Sequence, residues 1–192
     1  WSVYDSAPQL WNDHIYRDQW LTRAMPALLY KFKMKLPGNM LTVLSDNPSY
    51  KAWFEHWAIK FDNASVFTDA RLSLQTVINA GESGLRFQVA FDVFGNDIDG
   101  SVLPAGPKTI WDLISTEGSV IQGHTFDVAI YYRPPLSKSD LLTGLTQVLI
   151  TDIDTDTVVL SASKSGVPMM GYSSSNAHRV MWNGLYTGGF PA

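Results

Sequence analysis

The chain has no cysteine among its 192 residues. That excludes disulfide frameworks, cysteine-ligated zinc, iron–sulfur clusters and thiol nucleophiles together. Long apolar runs are also missing: none approaches the ~18–20 residues that a membrane-crossing helix needs. Charged residues are sparse, at 17% of the chain, against about 25% in an average soluble domain. The net charge is −4, and the one basic cluster is Lys31, Lys33 and Lys35. Phosphate neutralisation needs clustered Lys and Arg, so direct nucleic-acid binding is not expected.

Catalytic motifs are equally scarce. His14, His56, His124 and His178 are widely separated, with no His-x-x-x-His pair to hold zinc on a helix. No glycine-rich phosphate cradle occurs. Gly171-Tyr172-Ser173-Ser174-Ser175 opens like a nucleophile elbow but lacks its second glycine. A glycosidase needs two carboxyls facing each other about 5–10 Å apart, and only three glutamates exist. Glu82 and Glu117 lie beside glycines in turns, while Glu55 sits among Trp53, Phe54, His56 and Trp57. That apolar setting would raise its pKa, making Glu55 the one candidate catalytic acid. Asp152-Ile153-Asp154-Thr155-Asp156 supplies the first three ligand positions of a calcium loop, but Thr157 stands where the glycine belongs and Ser163 where the closing glutamate belongs. Asn96-Asp97-Ile98-Asp99-Gly100 is a second partial set, and Asn63-Ala64-Ser65 is a glycosylation acceptor pattern. No residue is assigned as catalytic, cofactor-binding or metal-binding, and calcium stays a candidate only.

What the chain has in quantity is turn formers (14 Gly, 10 Pro) and aromatic residues (12%), with short apolar–polar alternations between the turns. Period-two alternation is the signature of a strand. Tyr30, Phe32, Met34 and Leu36 alternate with the three lysines, which blunt an edge. Leu72, Leu74, Thr76 and Ile78 alternate with Arg71, Ser73 and Gln75. Leu85, Phe87, Val89, Phe91 and Val93 alternate with Arg86, Gln88, Ala90 and Asp92, and Phe126, Val128, Ile130 and Tyr132 form a further face. Residues 147–151 and 157–163 read as a hairpin with an acidic tip, and 178–182 as a last short strand. The run 40–44 is expected to be extended. Tyr50, Trp53, Phe54, Trp57, Ala58 and Phe61 fall at helical spacing, which favours a helix over the rival strand at 57–61. Residues 110–114 read as a short helix or extended segment, and 139–145 as a helical turn.

These elements predict a mainly β fold, an antiparallel β-sandwich of jelly-roll type with about eight strands and one or two short helices. The expected organisation is an N-terminal extension at 1–27, the sandwich at 28–182 and a glycine-rich tail at 183–192. Seven tryptophans exceed what one small core needs, so several are expected in contacts with other chains.

The assembled pattern resembles the coat proteins of small non-enveloped viruses. The resemblance rests on Tyr50-Lys51-Ala52-Trp53 leading into Trp57-Ala58-Ile59-Lys60-Phe61, on Phe87 to Phe94 ending in Gly-Asn-Asp, and on Ile110-Trp111-Asp112-Leu113 leading into Phe126-Asp127-Val128-Ala129-Ile130-Tyr131-Tyr132-Arg133-Pro134-Pro135. It implies a structural, non-enzymatic capsid shell or protruding domain in a virion, assembling with copies of itself and attaching to a host receptor or glycan. Shell domains of that class carry a basic arm, whereas the first 20 residues here hold Arg17 against Asp5, Asp13 and Asp18; the protruding form is therefore expected. Two readings stand beside it. One is a secreted, extracellular carbohydrate-binding β-sandwich that stacks sugars on aromatic faces. The other is a glycosidase-like hydrolase.

Overall fold

The structure, a computed structural model, describes residues 17–21, 27–45, 52–62, 69–94, 102, 108–133, 143–167, 178–182 and 187–188. The strands are β1 (Arg17–Leu21), β2 (Leu28–Lys35), β3 (Ala52–Asp62), β4 (Asp69–Ile78), β5 (Arg86–Phe94), β6 (Lys108–Ile114), β7 (Thr125–Arg133), β8 (Gly144–Asp152), β9 (Thr157–Val167), β10 (His178–Trp182) and β11 (Thr187–Gly188). One helix, α1 (Met40–Ser45), lies between β2 and β3. A seven-stranded sheet runs β1-β10-β3-β4-β5-β6, with β11 also paired to β3, and a four-stranded sheet runs β2-β7-β8-β9. Every pairing is antiparallel. The chain is thus the jelly-roll-like β-sandwich that the alternations predict.

The core fills the space between the sheets, because each strand turns its apolar set inward. Trp57, Leu74, Phe87 and Phe91 come from the larger sheet and Phe126, Val128, Ile130 and Tyr132 from the smaller, all essentially buried. Phe87 meets Phe126 edge-on at 4.9 Å between ring centres, and Tyr30 tilts onto Trp57 at 4.8 Å. Aromatic pairs at such separations add about 0.5–1.5 kcal/mol beyond their burial. β2 alternates half-buried and exposed along its whole length, with Lys31, Lys33 and Lys35 outward on the edge.

Two sequence expectations about single elements are corrected. The run 40–44 is the helix α1 rather than extended chain: Met40 and Leu44, four residues apart, are both buried, and apolar runs this short carry no reliable period. Tyr50 lies outside the described residues, and the helical spacing from Trp53 to Phe61 belongs to β3, where the register slips between Glu55 and Trp57. His56 is the extra residue of this bulge, and one inserted residue changes which parity faces inward, so a strand imitates a helical period. Residues 110–114 belong to β6. Residues 17–21 and 187–188, inside the stretches read as extension and tail, are strands of the larger sheet. The turn at 139–145 lies mostly outside the described residues, and Gly144 opens β8.

Two turns are held together by glycine. Gly84 lies so close to Gly118 that a Cβ on it would come within 2.6 Å of the Gly118 backbone. Gly118 itself has φ of 73°, a region that side chains disfavour.

Candidate functional site

Opposite residues in an antiparallel pair share a face. The registers Glu55↔Gln75↔Gln88, Ser73↔Ala90↔Asp112 and Arg71↔Asp92↔Thr109 therefore set one continuous polar surface on the outer side of the larger sheet. Outward polar residues are ordinary. These are not, because Glu55, Arg71, Ser73, Gln75, Gln88 and Asp92 are all buried. Among the described side chains, the row becomes exposed at β6, with Thr109 and Asp112.

Arg71 stands at its centre. One Nη lies 3.2 Å from Glu55 Oε2 and the other 3.2 Å from Asp92 Oδ2. Thr109 donates its hydroxyl to Asp92 Oδ1 at 2.7 Å, Gln88 donates to Asp112 at 2.6 Å, and Gln75 donates to the Ser73 hydroxyl at 3.0 Å. Burial pushes the Glu55 carboxyl up to about 7; the Arg71 charge pulls it down, Asp92 pushes it up, and Gln75 pulls it down, without undoing the shift. Taking a carboxylate out of water disfavours its charged form. Glu55 therefore changes charge near neutrality, as a proton-transferring group must.

His56, on the bulge beside Glu55, faces the interior. Its Nε2 lies 2.6 Å from Thr76 Oγ1, and its ring packs against Phe54 and Phe87. Burial lowers its pKa to about 3, so it is neutral and structural. Glu55 and His56 are chain neighbours on opposite sides of the sheet.

The acidic hairpin tip is the second cluster. His124, Asp152 and Asp154 bring ligand atoms within 4.8 Å of one another. His124 Nδ1 lies 2.8 Å from Asp152 Oδ2, the Asp154 amide donates to Asp152 Oδ1, and the Thr125 amide donates to Asp154. Burial tends to raise the Asp152 carboxyl, but hydrogen bonds from His124, the Asp154 amide and Thr155 outweigh it and hold it below the usual range. His124 supplies a nitrogen to this group, whereas calcium takes a shell of oxygens. Glu82 and Glu117 lie in turns, as expected, and both face Arg86. The partial set at 96–100, the acceptor at Asn63, the serine run at 171–175 and His14 lie outside the described residues, and the side chain of His178 is likewise undescribed.

The sequence reading singled out Glu55 but not its partners. Arg71 and Asp92 read as the solvent face of two alternating strands. The available signal was that β4 and β5 both carry Arg, Gln or Asp at outward positions among very few charges overall.

No family model matches the chain, and no curated protein matches it. Among solved structures it is similar to the marine PL-14 alginate lyase from Aplysia kurodai, at 8% identity and a TM-score of 0.48, over 86% of this chain and 62% of that one. It is also similar to the alginate lyase Aly36B, at 11% identity and a TM-score of 0.42, over 93% of this chain and 73% of that one. The chain thus spans less than two-thirds of the Aplysia enzyme's length. The expectation of a viral coat is corrected by this comparison: the similar structures are enzymes acting on a polysaccharide, not coats. The non-enzymatic reading, the virion and host attachment fall with it. The strand patterning behind that resemblance belongs to the sandwich as such, and a fold does not fix a function.

Proposed function

We propose that the chain is a carbohydrate-active enzyme of the polysaccharide-lyase type, working on an acidic polysaccharide at the outer face of the larger sheet. The observation that carries this reading is the buried Glu55–Arg71–Asp92 group at the centre of a polar row that reaches the surface at Thr109 and Asp112. Ionisable groups are concentrated and perturbed where chemistry is done, and burial raises the Glu55 carboxyl toward neutrality beside Arg71 and Asp92.

The reaction needs no nucleophilic side chain. A base removes the proton on the sugar carbon beside the carboxyl group. The electron pair forms a carbon–carbon double bond, the glycosidic oxygen leaves with the electrons of its own bond, and a proton completes the new hydroxyl. Glu55 is the proton acceptor in this scheme. Arg71 and Asp92 set its charge, and Thr109 and Asp112, the exposed end of the row, meet the sugar. A polymer of this kind is met outside the cell, so the extracellular alternative goes with the reading. No helix among the described residues is long and apolar enough to cross a membrane.

The test is incubation with alginate, polygalacturonate and a neutral glucan, following the ultraviolet absorbance of the new conjugated double bond. Product from an acidic polymer, lost in Glu55→Gln while that variant stays folded, is the expected result. Absence of unsaturated product from every acidic polymer would overturn the reading.

A further inference from the structure

The smaller sheet also has an outer face, and it is built differently. A hollow of about 410 Å³ opens there, lined by Leu29, Tyr131, Gln147, Leu149, Ser161 and Ser163 among others. The registers Leu29↔Tyr131↔Gln147↔Ser163 and Lys31↔Ala129↔Leu149↔Ser161 run straight across all four strands. Leu29 and Leu149 are 59% and 46% exposed, unusual for leucines in neighbouring rows of one sheet face. Beside the hollow stand Lys31, Lys33 and Lys35, all exposed and about 6.6 Å apart along the strand. They form no ion pair among the described residues. Asp127, opposite Lys33, is the one carboxylate in register with that column.

We infer that this face is a second binding surface, which holds a strand of acidic polysaccharide away from the site on the other side of the sandwich. The occupant's chemistry follows from the lining. A hollow lined by Leu29, Leu149 and Tyr131 accepts the C–H face of a sugar ring. Gln147, Ser161 and Ser163 offer donors and acceptors for hydroxyls. The lysine column complements a row of carboxylates, in a protein whose net charge is −4. That the occupant is a glycan rests on the proposed function, whereas the surface itself does not. Holding the polymer at a second place raises its effective concentration at the first.

The experiment uses the whole chain and an alginate hexamer as probe, with a cellulose-derived hexamer and a single-stranded RNA hexamer for comparison. Binding is followed by backbone chemical shifts, which need no variant. The expected result is saturable shifts centred on Tyr131, Gln147 and Ser161 with the acidic sugar, weakened at least about tenfold in Tyr131→Ala and in the Lys31→Gln, Lys33→Gln, Lys35→Gln triple variant. Both variants should slow cleavage of long polymer and leave cleavage of short oligomers unchanged. Binding of the neutral hexamer or the RNA as tightly as the acidic sugar would overturn the inference, as would shifts confined to the larger sheet or a concentration-dependent dimer that covers the hollow. Tyr131-dependent binding without any lyase product would sustain this surface and refute the proposed function. Lyase product without Tyr131-dependent binding would do the reverse.

Discussion

Arg71 divides its guanidinium between two carboxylates, with one nitrogen 3.2 Å from Glu55 and another 3.2 Å from Asp92, and all three side chains are buried. One cation shared by two acids leaves the group a negative charge in excess when both are ionised. Burial resolves the excess by protonating Glu55 near neutrality. Removing one member of a buried charged group strands the others, which typically costs about 3–5 kcal/mol. Neutral isosteres are therefore the informative variants.

Stability against pH should separate Glu55 from His56. The Glu55 carboxyl is raised from 4.5 to about 7, so its contribution is complete below pH 4.5 and is lost as pH rises through 7. That loss is of order 3 kcal/mol. His56 is lowered from 6.5 to about 3, so its contribution grows as pH rises from 3 and is complete above 6.5. In thermal unfolding the two slopes oppose each other between about pH 4.5 and 6.5, so the parent should be nearly flat there and fall only toward pH 7. Glu55→Gln should gain stability across that window. In Glu55→Gln the falling limb should vanish while the rising limb stays. Superimposable curves would refute the assignment.

Asp92 contributes to raising Glu55. Asp92→Asn is expected to shift the Glu55 carboxyl titration to lower pH, read from its side-chain carbon resonance. An upward shift would mean that loss of order around Arg71 outweighs loss of the charge.

Thr146 is buried with its hydroxyl unpartnered among the described residues. Thr146→Val keeps the shape and removes the polar atom, and should stabilise the protein by about 1 kcal/mol in denaturant unfolding. A loss of stability would reveal a partner for that hydroxyl.

Gly84→Ala should destabilise by about 1–3 kcal/mol, because its Cβ would press on the Gly118 backbone, which cannot swing aside like a side chain. Gly38→Ala, with nothing within 4 Å, is the control and should be nearly neutral.

The sandwich was legible because β2, β4, β5 and β7 alternate in sequence; burial follows that alternation in β2 and β7, whereas in β4 and β5 the outward residues are buried as well. β3 was misread for a local reason: a single bulge at His56 breaks the period of two. The site was half legible. Glu55 stood out as a carboxylate among aromatics, but its meaning lies in Arg71 and Asp92, 16 and 37 residues further along the sequence. Sheet register brings them together, and no spacing within one segment announces it. Lys31, Lys33 and Lys35 were visible as an edge device, yet the hollow beside them is completed by residues of three further strands.

The most direct test is the pH profile of unsaturated product formation from alginate, measured for the parent and for Asp92→Asn. The account predicts a rate that rises through an inflection near pH 7, where Glu55 loses its proton, and an inflection displaced to lower pH in the variant. No product at any pH, or identical profiles for the two proteins, would contradict it.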